Sequence, residues 1–307
     1  MDNIKNPRRK PRRVEPIVFH TLNYTFLILL CAVMLYPMLN TLALSFNDGM
    51  DAVRGGIHLW PRIFTLQNYN IVLNMHTIYN AFFMSIYRTL VTVVTCIMCT
   101  SMLAYALSRP EYVLRKFITV VFVLTMYFDP GLIPRYLLIQ NLGMLNTFTV
   151  YWVPVLVSAF DLIVIRTYMR SVSESLVESA RIDGAGDFRI YWRVVMPLCK
   201  PVLATIALFV AVGAWNAWFD TFLYNSGAQS LSVLQYELQK LLSSAMMAGQ
   251  AGQQATQAAQ AASGASVTTP QALRAAITIV AAVPILLVYP FLQRYFVHGI
   301  QLGGVKE

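Results

Sequence analysis

Six charged side chains crowd into residues 178–193: Glu178, Arg181, Asp183, Asp187, Arg189 and Arg193, with Gly184 and Gly186 among them. Interleaved charges of both signs can pair with a partner protein's surface; arginines alone could instead rest on anionic lipid headgroups. Elsewhere, side chains able to do chemistry do not gather. Cys96 and Cys99 have CxxC spacing, but they fall in a long apolar run, where two small apolar side chains are expected rather than a redox pair. His20, His58, His76 and His298 are scattered and no HExxH occurs, so no metal site is expected. There is no GxxxxGK[ST] loop, nor any Gly-Lys pair, so no Walker-type nucleotide site is expected. No GxSxG sets up a nucleophilic serine. The chain reads as something other than an enzyme.

What positions the patch is a greasy scaffold. Of the 307 residues, 57% are hydrophobic and 12% charged, and the charges fall between apolar runs long enough to cross a bilayer. The expected fold is an all-α polytopic membrane protein. Its six transmembrane helices would lie at about 17–46, 80–107, 117–139, 147–168, 198–222 and 275–297, together a membrane domain over 17–297. The first run is too long for a signal peptide's core and is expected to be retained. Pro37 suggests a kink in it, and "DPGLIP" a break in the third span. Between the first two spans, residues 47–78 read as a wet loop. Residues 1–16 form a basic tail, 243–270 an Ala- and Gln-rich insertion, flexible or marginally helical, and 298–307 a C-terminal tail.

An even span count puts both termini on one side. Segments 1–16, 108–116, 166–200 and 294–307 hold 17 of the 23 Lys and Arg, so that side is expected to be cytoplasmic. The net charge of +9 then reports topology, and no nucleic-acid partner is expected. The patch lies beneath the bilayer.

Residues 171–197 read as two short helices around a turn. Ser175 and Glu178 have the spacing of a capping box, with that helix running to about Ile182. Gly184 and Gly186 supply the turn, and Ser179, Ala180 and Ala185 keep the surface low enough for close approach. From about Asp187 a second helix places Phe188, Tyr191, Trp192 and Val195 on one apolar stripe, expected to pack on the protein's own spans. Arg189 and Arg193 lie on another face, and Pro197 opens the fifth span.

The spacing of Glu178-Ser179-Ala180, Gly184, Val194 and Met196-Pro197 resembles the cytoplasmic "EAA…G" loop of ABC importer permeases, and "ESARIDGAGDFRIYWRVVMPLCKP" resembles their complex-sugar, maltose-type branch. "WNAWFD" (215–220) and "FVHGIQLGGVKE" (296–307) are similar to that branch's fifth span and tail. Ser179 stands where the family usually has a second alanine, and Ser173 where a proline commonly precedes the loop. The resemblance implies a type I importer permease fold in the cell membrane, and uptake of an oligosaccharide or complex carbohydrate. It also implies a second six-span permease (by family habit a different chain), two ABC ATPase subunits holding ATP and Mg, and an extracytoplasmic solute-binding lipoprotein. Glu178, Ser179, Ala180, Asp183, Gly184, Ala185 and Pro197 would couple to the ATPase. Glu178 would either cap its helix or pair with a basic residue there. A permease for amino acids or phosphate, and a membrane scaffold or sensor, are the alternative readings.

Polar residues within spans usually face the bundle interior or a wet cavity. Trp215, Asn216, Asp220 and Asp129 are the candidates for a substrate pathway, with Asn40, Arg88 and Asp161 as further intramembrane polar groups. Asn216 beside Trp215 and Trp218 offers amide and aromatic contacts suited to sugars. Packing is the alternative for the tryptophans, snorkelling for Arg88 and Asp220, and a local pair with Arg166 for Asp161.

Overall fold

The computed structural model describes residues 14–251 and 269–299. It is nearly all helical; among the described residues the only β-type pairing is an isolated bridge between Asn47 and Phe64. The chain divides into two compact units, Met1–Asn68 with Ala265–Ala276, and Tyr69–Gly264 with Ile277–Glu307.

The first unit is built on α1, Val14–Ser45, continuous through Pro37. Large apolar side chains from Phe19 to Leu42 stay exposed around its circumference, as on a helix solvated by lipid. Beyond Ser45 the chain folds back as an ordered hairpin, where a wet loop was expected. Asp48 caps α2, Gly49–Arg54, accepting from the amides of Met50 and Asp51. The buried Asn47 Oδ1 accepts from the Arg62 and Ile63 amides at 2.8 and 2.9 Å, and its Nδ2 donates to Asp51 at 3.0 Å. Arg62 pairs with Asp51 at 2.8 Å, and Asn68 Nδ2 donates to the carbonyls of Ser45 and Asn47. Turn backbone held off water needs partners, and these short polar side chains provide them. Asn40, one of the intramembrane polar groups, is used the same way on the carbonyls of Ile57 and His58.

In the second unit, α3 (Gln67–Asn74) leads into α4, His76–Ser108, against which several later helices pack. Its buried stripe is Ala81, Ser85, Arg88, Thr92, Cys96, Thr100 and Ala104, at helical spacing and mostly small. Small residues let neighbouring backbones close in, and their hydroxyls serve irregular backbone that lipid could not satisfy. Thr100 donates to the Leu156 carbonyl at 3.1 Å, and Ser85 accepts from the Leu234 amide at 2.8 Å. Cys96 is buried and Cys99 exposed, so the CxxC pair points to different faces.

Two helices, Phe19–Ser45 and His76–Ser108, are long and apolar enough to cross a membrane among the described residues, and two bent pairs would add one crossing each. The six spans expected are not all counted among the described residues, and several of the expected segments are broken. The 117–139 segment parts into α5 (Arg115–Tyr127) and α6 (Leu132–Asn141), where Gly131 takes φ +83° and Asp129 accepts its amide. The 147–168 segment opens as 3-10 turns at Phe148–Tyr151 and Val153–Val155, around Pro154, before α7 (Ala159–Arg170) leaves at 50°. After the charged elbow come α11 (Lys200–Asn216) and α12 (Phe219–Tyr224), parted at Ala217–Trp218. Then α13 (Leu234–Ala251) takes in the first residues of the expected insertion, and α14 (Pro270–Gly299) is one helix. Residues 1–13 of the basic tail, 252–268 of the insertion and 300–307 of the C-terminal tail lie outside the described residues.

Candidate functional site

The charged patch forms a rigid elbow. Its first helix, α8 (Glu174–Ile182), starts at Ser173, so Ser175 lies inside it and its hydroxyl meets Ser173 Oγ at 2.8 Å. The expected Ser175–Glu178 capping box is therefore not formed: the helix begins too early for it. Glu178 is left exposed, and of its two expected roles only the pairing one remains.

The turn is as the glycine spacing implied. Gly184 takes φ +79°, its amide donates to Arg181 O at 2.9 Å, and the Ala185 amide reaches back to Ala180 O at 3.0 Å. That pair of bonds is a Schellman stop, which needs a left-handed residue at the position Gly184 occupies.

The second arm departs from the sequence reading. Helix α9 (Asp187–Ile190) passes into a π-helical turn, Tyr191–Val195, and then α10 (Met196–Leu198). The wider turn shifts the register, so the inward residues are Ile190, Tyr191, Val195 and Cys199. Phe188 is 68% exposed and Trp192 48%, where packing on the spans was expected. With the fully exposed register go Ile182, 86% accessible at the tip, and the charged side chains of Asp183, Arg189 and Arg193.

Inward residues root the elbow. Ile190, Tyr191 and Val195 join Ala104, Leu107, Leu162, Ile165, Met169, Val177 and Ile206 in one buried cluster. Tyr191 O–H lies 2.8 Å from Ser101 Oγ on α4, and the second arm meets α11 at 81°. Removing that buried hydroxyl in Tyr191→Phe leaves Ser101 bonded only to the Ile97 and Met98 carbonyls of its own helix and cuts its tie to the elbow. We expect about 1 kcal/mol of lost stability, read as an earlier thermal midpoint of the purified protein.

A contact that the sequence reading missed ties the elbow to the turn after α4. Arg181 reaches Glu111 at 2.5 Å and Asp187 at 3.4 Å. No sequence signal links them, since Glu111 lies 70 residues away. The hydrogen bond from Arg181 holds the Glu111 carboxyl below its usual value of 4.5, and the same bond raises Arg181. A depressed carboxyl means the tether is intact above the ordinary carboxylate range and is lost as pH falls through the lower folded value. Both partners are exposed, so salt should weaken it as well. The distance between spin labels at Val113 and Glu178 should therefore widen in acid and in high salt.

Among the spans lies a cavity of about 380 Å³, lined by α4, α6, α7, α11 and α12 residues. At its wall Arg88, 3% exposed, donates to the Ala217 carbonyl at 2.8 Å, pairs with Asp220 and stacks over the Tyr151 ring at 4.3 Å. Of the four expected pathway residues, only Asp220 lines this cavity. Trp215 is buried, its indole N–H bound to Ala281 O at 3.1 Å and its ring edge-on to Phe82. The Asn216 amide donates to its own helix at Val212 O, and Asp129 pairs with Arg135 at 3.1 Å. Asp161 lines the cavity instead of pairing with Arg166, whose Nε goes to Leu107 O. Sequence alone gave no reason to place Tyr151, Tyr224 or Arg135 there. No three His, Cys, Asp or Glu side chains gather at metal-binding distance among the described residues.

Helices suited to a bilayer, a largely apolar cavity with charged groups at its wall and an elbow rooted in their packing define a membrane transport subunit. Residues 77–302 match the binding-protein-dependent transport system inner membrane components, and the chain belongs to that family. It is 31% identical over 289 residues to the polygalacturonan/rhamnogalacturonan transport system permease protein YtcP of Bacillus subtilis, covering 94% of this chain and 98% of that one. It is 27% identical over 304 residues to the arabinooligosaccharides transport system permease protein AraQ of Halalkalibacterium halodurans, with 96% and 99% covered. Among solved structures, a chain of a bacterial ABC transporter involved in import of the acidic polysaccharide alginate superposes with TM-score 0.81 at 29% identity, covering 95% of this chain and 100% of that one.

Proposed function

We propose that the chain is one permease subunit of an ATP-driven importer of oligosaccharides. The similarity to carbohydrate permeases over nearly the full length supports the cargo. For the mechanism, one observation carries the reading: an elbow fixed at its root by buried packing and bare at its tip. Separate ATPase subunits, holding ATP and Mg, would grip that tip around Ile182, Asp183, Gly184 and Phe188. Glu178 would pair with a basic residue of the ATPase, while Ser179, Ala180 and Ala185 let the surfaces close and Pro197 passes the motion into α11. Because the elbow is keyed into α4 and α7, a push on the tip rotates those helices.

Both termini and the elbow then face the cytoplasm, as the basic residues favour. A second permease chain would supply the other half of the pathway, and an extracytoplasmic solute-binding lipoprotein would deliver the sugar. The cavity offers a charged acceptor at Asp220, donors at Arg135 and an aromatic ring at Phe219 to a polyhydroxylated chain. In proteoliposomes holding the co-purified assembly, ATP hydrolysis should rise when oligosaccharide-loaded binding protein is supplied, with labelled sugar entering. An assembly that hydrolyses no ATP and moves no sugar would defeat the reading.

A further inference from the structure

The hairpin after α1 lies ahead of the family-matched residues, and its apolar rim belongs to neither the elbow's buried root nor the cavity. We propose that residues 57–66 are a membrane-interface anchor, with Trp60 seated among the phospholipid headgroups and upper acyl chains.

Depth follows from α1. Its apolar stretch Phe19–Ser45 has 27 residues, about 40 Å of helix, some 10 Å more than a hydrocarbon core of about 30 Å. A core beginning near Phe19 therefore ends close to residue 39. The hairpin comes back down to that level. Tyr36 O–H meets His58 Nδ1 at 2.8 Å, and Asn40 Nδ2 donates to Ile57 O at 2.7 Å and His58 O at 3.0 Å. Its two strands close at the other end through Asp48 N to Ile63 O, Thr65 N to Phe46 O and the stacked rings of Phe46 and Phe64. The Asn47–Asp51–Arg62 bonds hold this shape, so the rim is presented by a fixed frame.

What the frame presents is apolar. Trp60 is 84% exposed, and Leu59, Ile63, Phe64 and Leu66 are at least half exposed. They continue the bare apolar surface of α1, which the bilayer covers, so the same lipid is the occupant that geometry favours. An indole prefers that boundary, its ring apolar and its N–H able to reach a headgroup. Arg62 and Arg54, both exposed, add cations at the same end. The inference needs only a bilayer around α1 and is independent of the cargo.

The test compares the full-length chain, with its co-purified subunits, against Trp60→Phe in phosphatidylcholine–phosphatidylglycerol vesicles. Subtracting the two emission spectra isolates Trp60. We expect that component to be quenched several-fold more by lipids brominated near the headgroup end of the acyl chain than by tail-end bromines or aqueous iodide. Quenching by iodide alone would place Trp60 in water, and resistance to every quencher would place it under another protein subunit; either overturns the anchor. Trp60→Phe should leave sugar uptake intact, which shows that the subtraction compares folded proteins.

Discussion

Gly184→Val is expected to cut ATP-driven uptake about tenfold or more while the subunit still inserts and assembles. The residue sits at φ +79°, where a Cβ, above all a branched one, collides with its own backbone at a cost of about 1–2 kcal/mol. Nothing else lies within 4 Å of a Cβ placed there, so the whole effect comes from the turn itself. Losing it breaks the Gly184–Arg181 and Ala185–Ala180 bonds and swings α8 relative to α9, displacing Ile182 from Phe188. The root, with Ile190 and Tyr191 deep in the α4–α7–α11 cluster, is untouched. Gly184→Asn separates this from a general loss of tolerance, because asparagine enters the left-handed region more cheaply and should retain most of the uptake. ATP hydrolysis and sugar entry, measured on the same vesicles, give the coupling ratio directly.

Arg88→Met should cost stability rather than coupling, on the order of 3 kcal/mol, and reduce assembled protein in the membrane. The loss has two parts. Asp220 is left with no cation beside it, and the Ala217 carbonyl, freed from helical pairing where α11 stops, loses its donor. Lipid offers neither group a replacement. Asp220 is a quarter exposed to the cavity, which puts the figure at the low end for a broken buried pair. The double variant Arg88→Met/Asp220→Leu removes the stranded carboxyl and should recover much of the yield, leaving the Ala217 carbonyl as the residual deficit. Equal yields for the single and double variants would mean the ion pair contributes nothing beyond packing.

Some of this could be read from residue order and some could not. The elbow's turn was legible because only glycine is cheap at its φ, and an Asp-Gly step between two amphipathic runs announces it. The break at Asp129-Pro-Gly was legible for the same local reason. The Ala217–Trp218 break was not, since neither residue disfavours helix. The carbonyl it frees is taken up by Arg88, distant in sequence and delivered only by the packing of α4 against α11. Likewise the π-turn at Tyr191–Val195 leaves no mark in composition. One wider turn moved Phe188 and Trp192 from the expected buried stripe to the outer face and brought Ile190 inside. Residues 47–78 read only as a wet loop, and the common work of Asn47, Asp51 and Asn68 as one buried knot depends on a chain reversal that periodicity cannot see. Trp215 was misleading for another reason: a Trp beside an Asn looks like a sugar contact until Ala281 is found accepting its N–H.

That the subunit is moved from below rests on what the elbow's tip touches during turnover. A photoreactive amino acid placed at Ile182, in the working assembly with ATP present, reports this most directly. The expected result is an adduct with an ATPase subunit whose yield changes between ATP-bound and nucleotide-free states. Adducts with phospholipid alone, under conditions where sugar is entering, would contradict it.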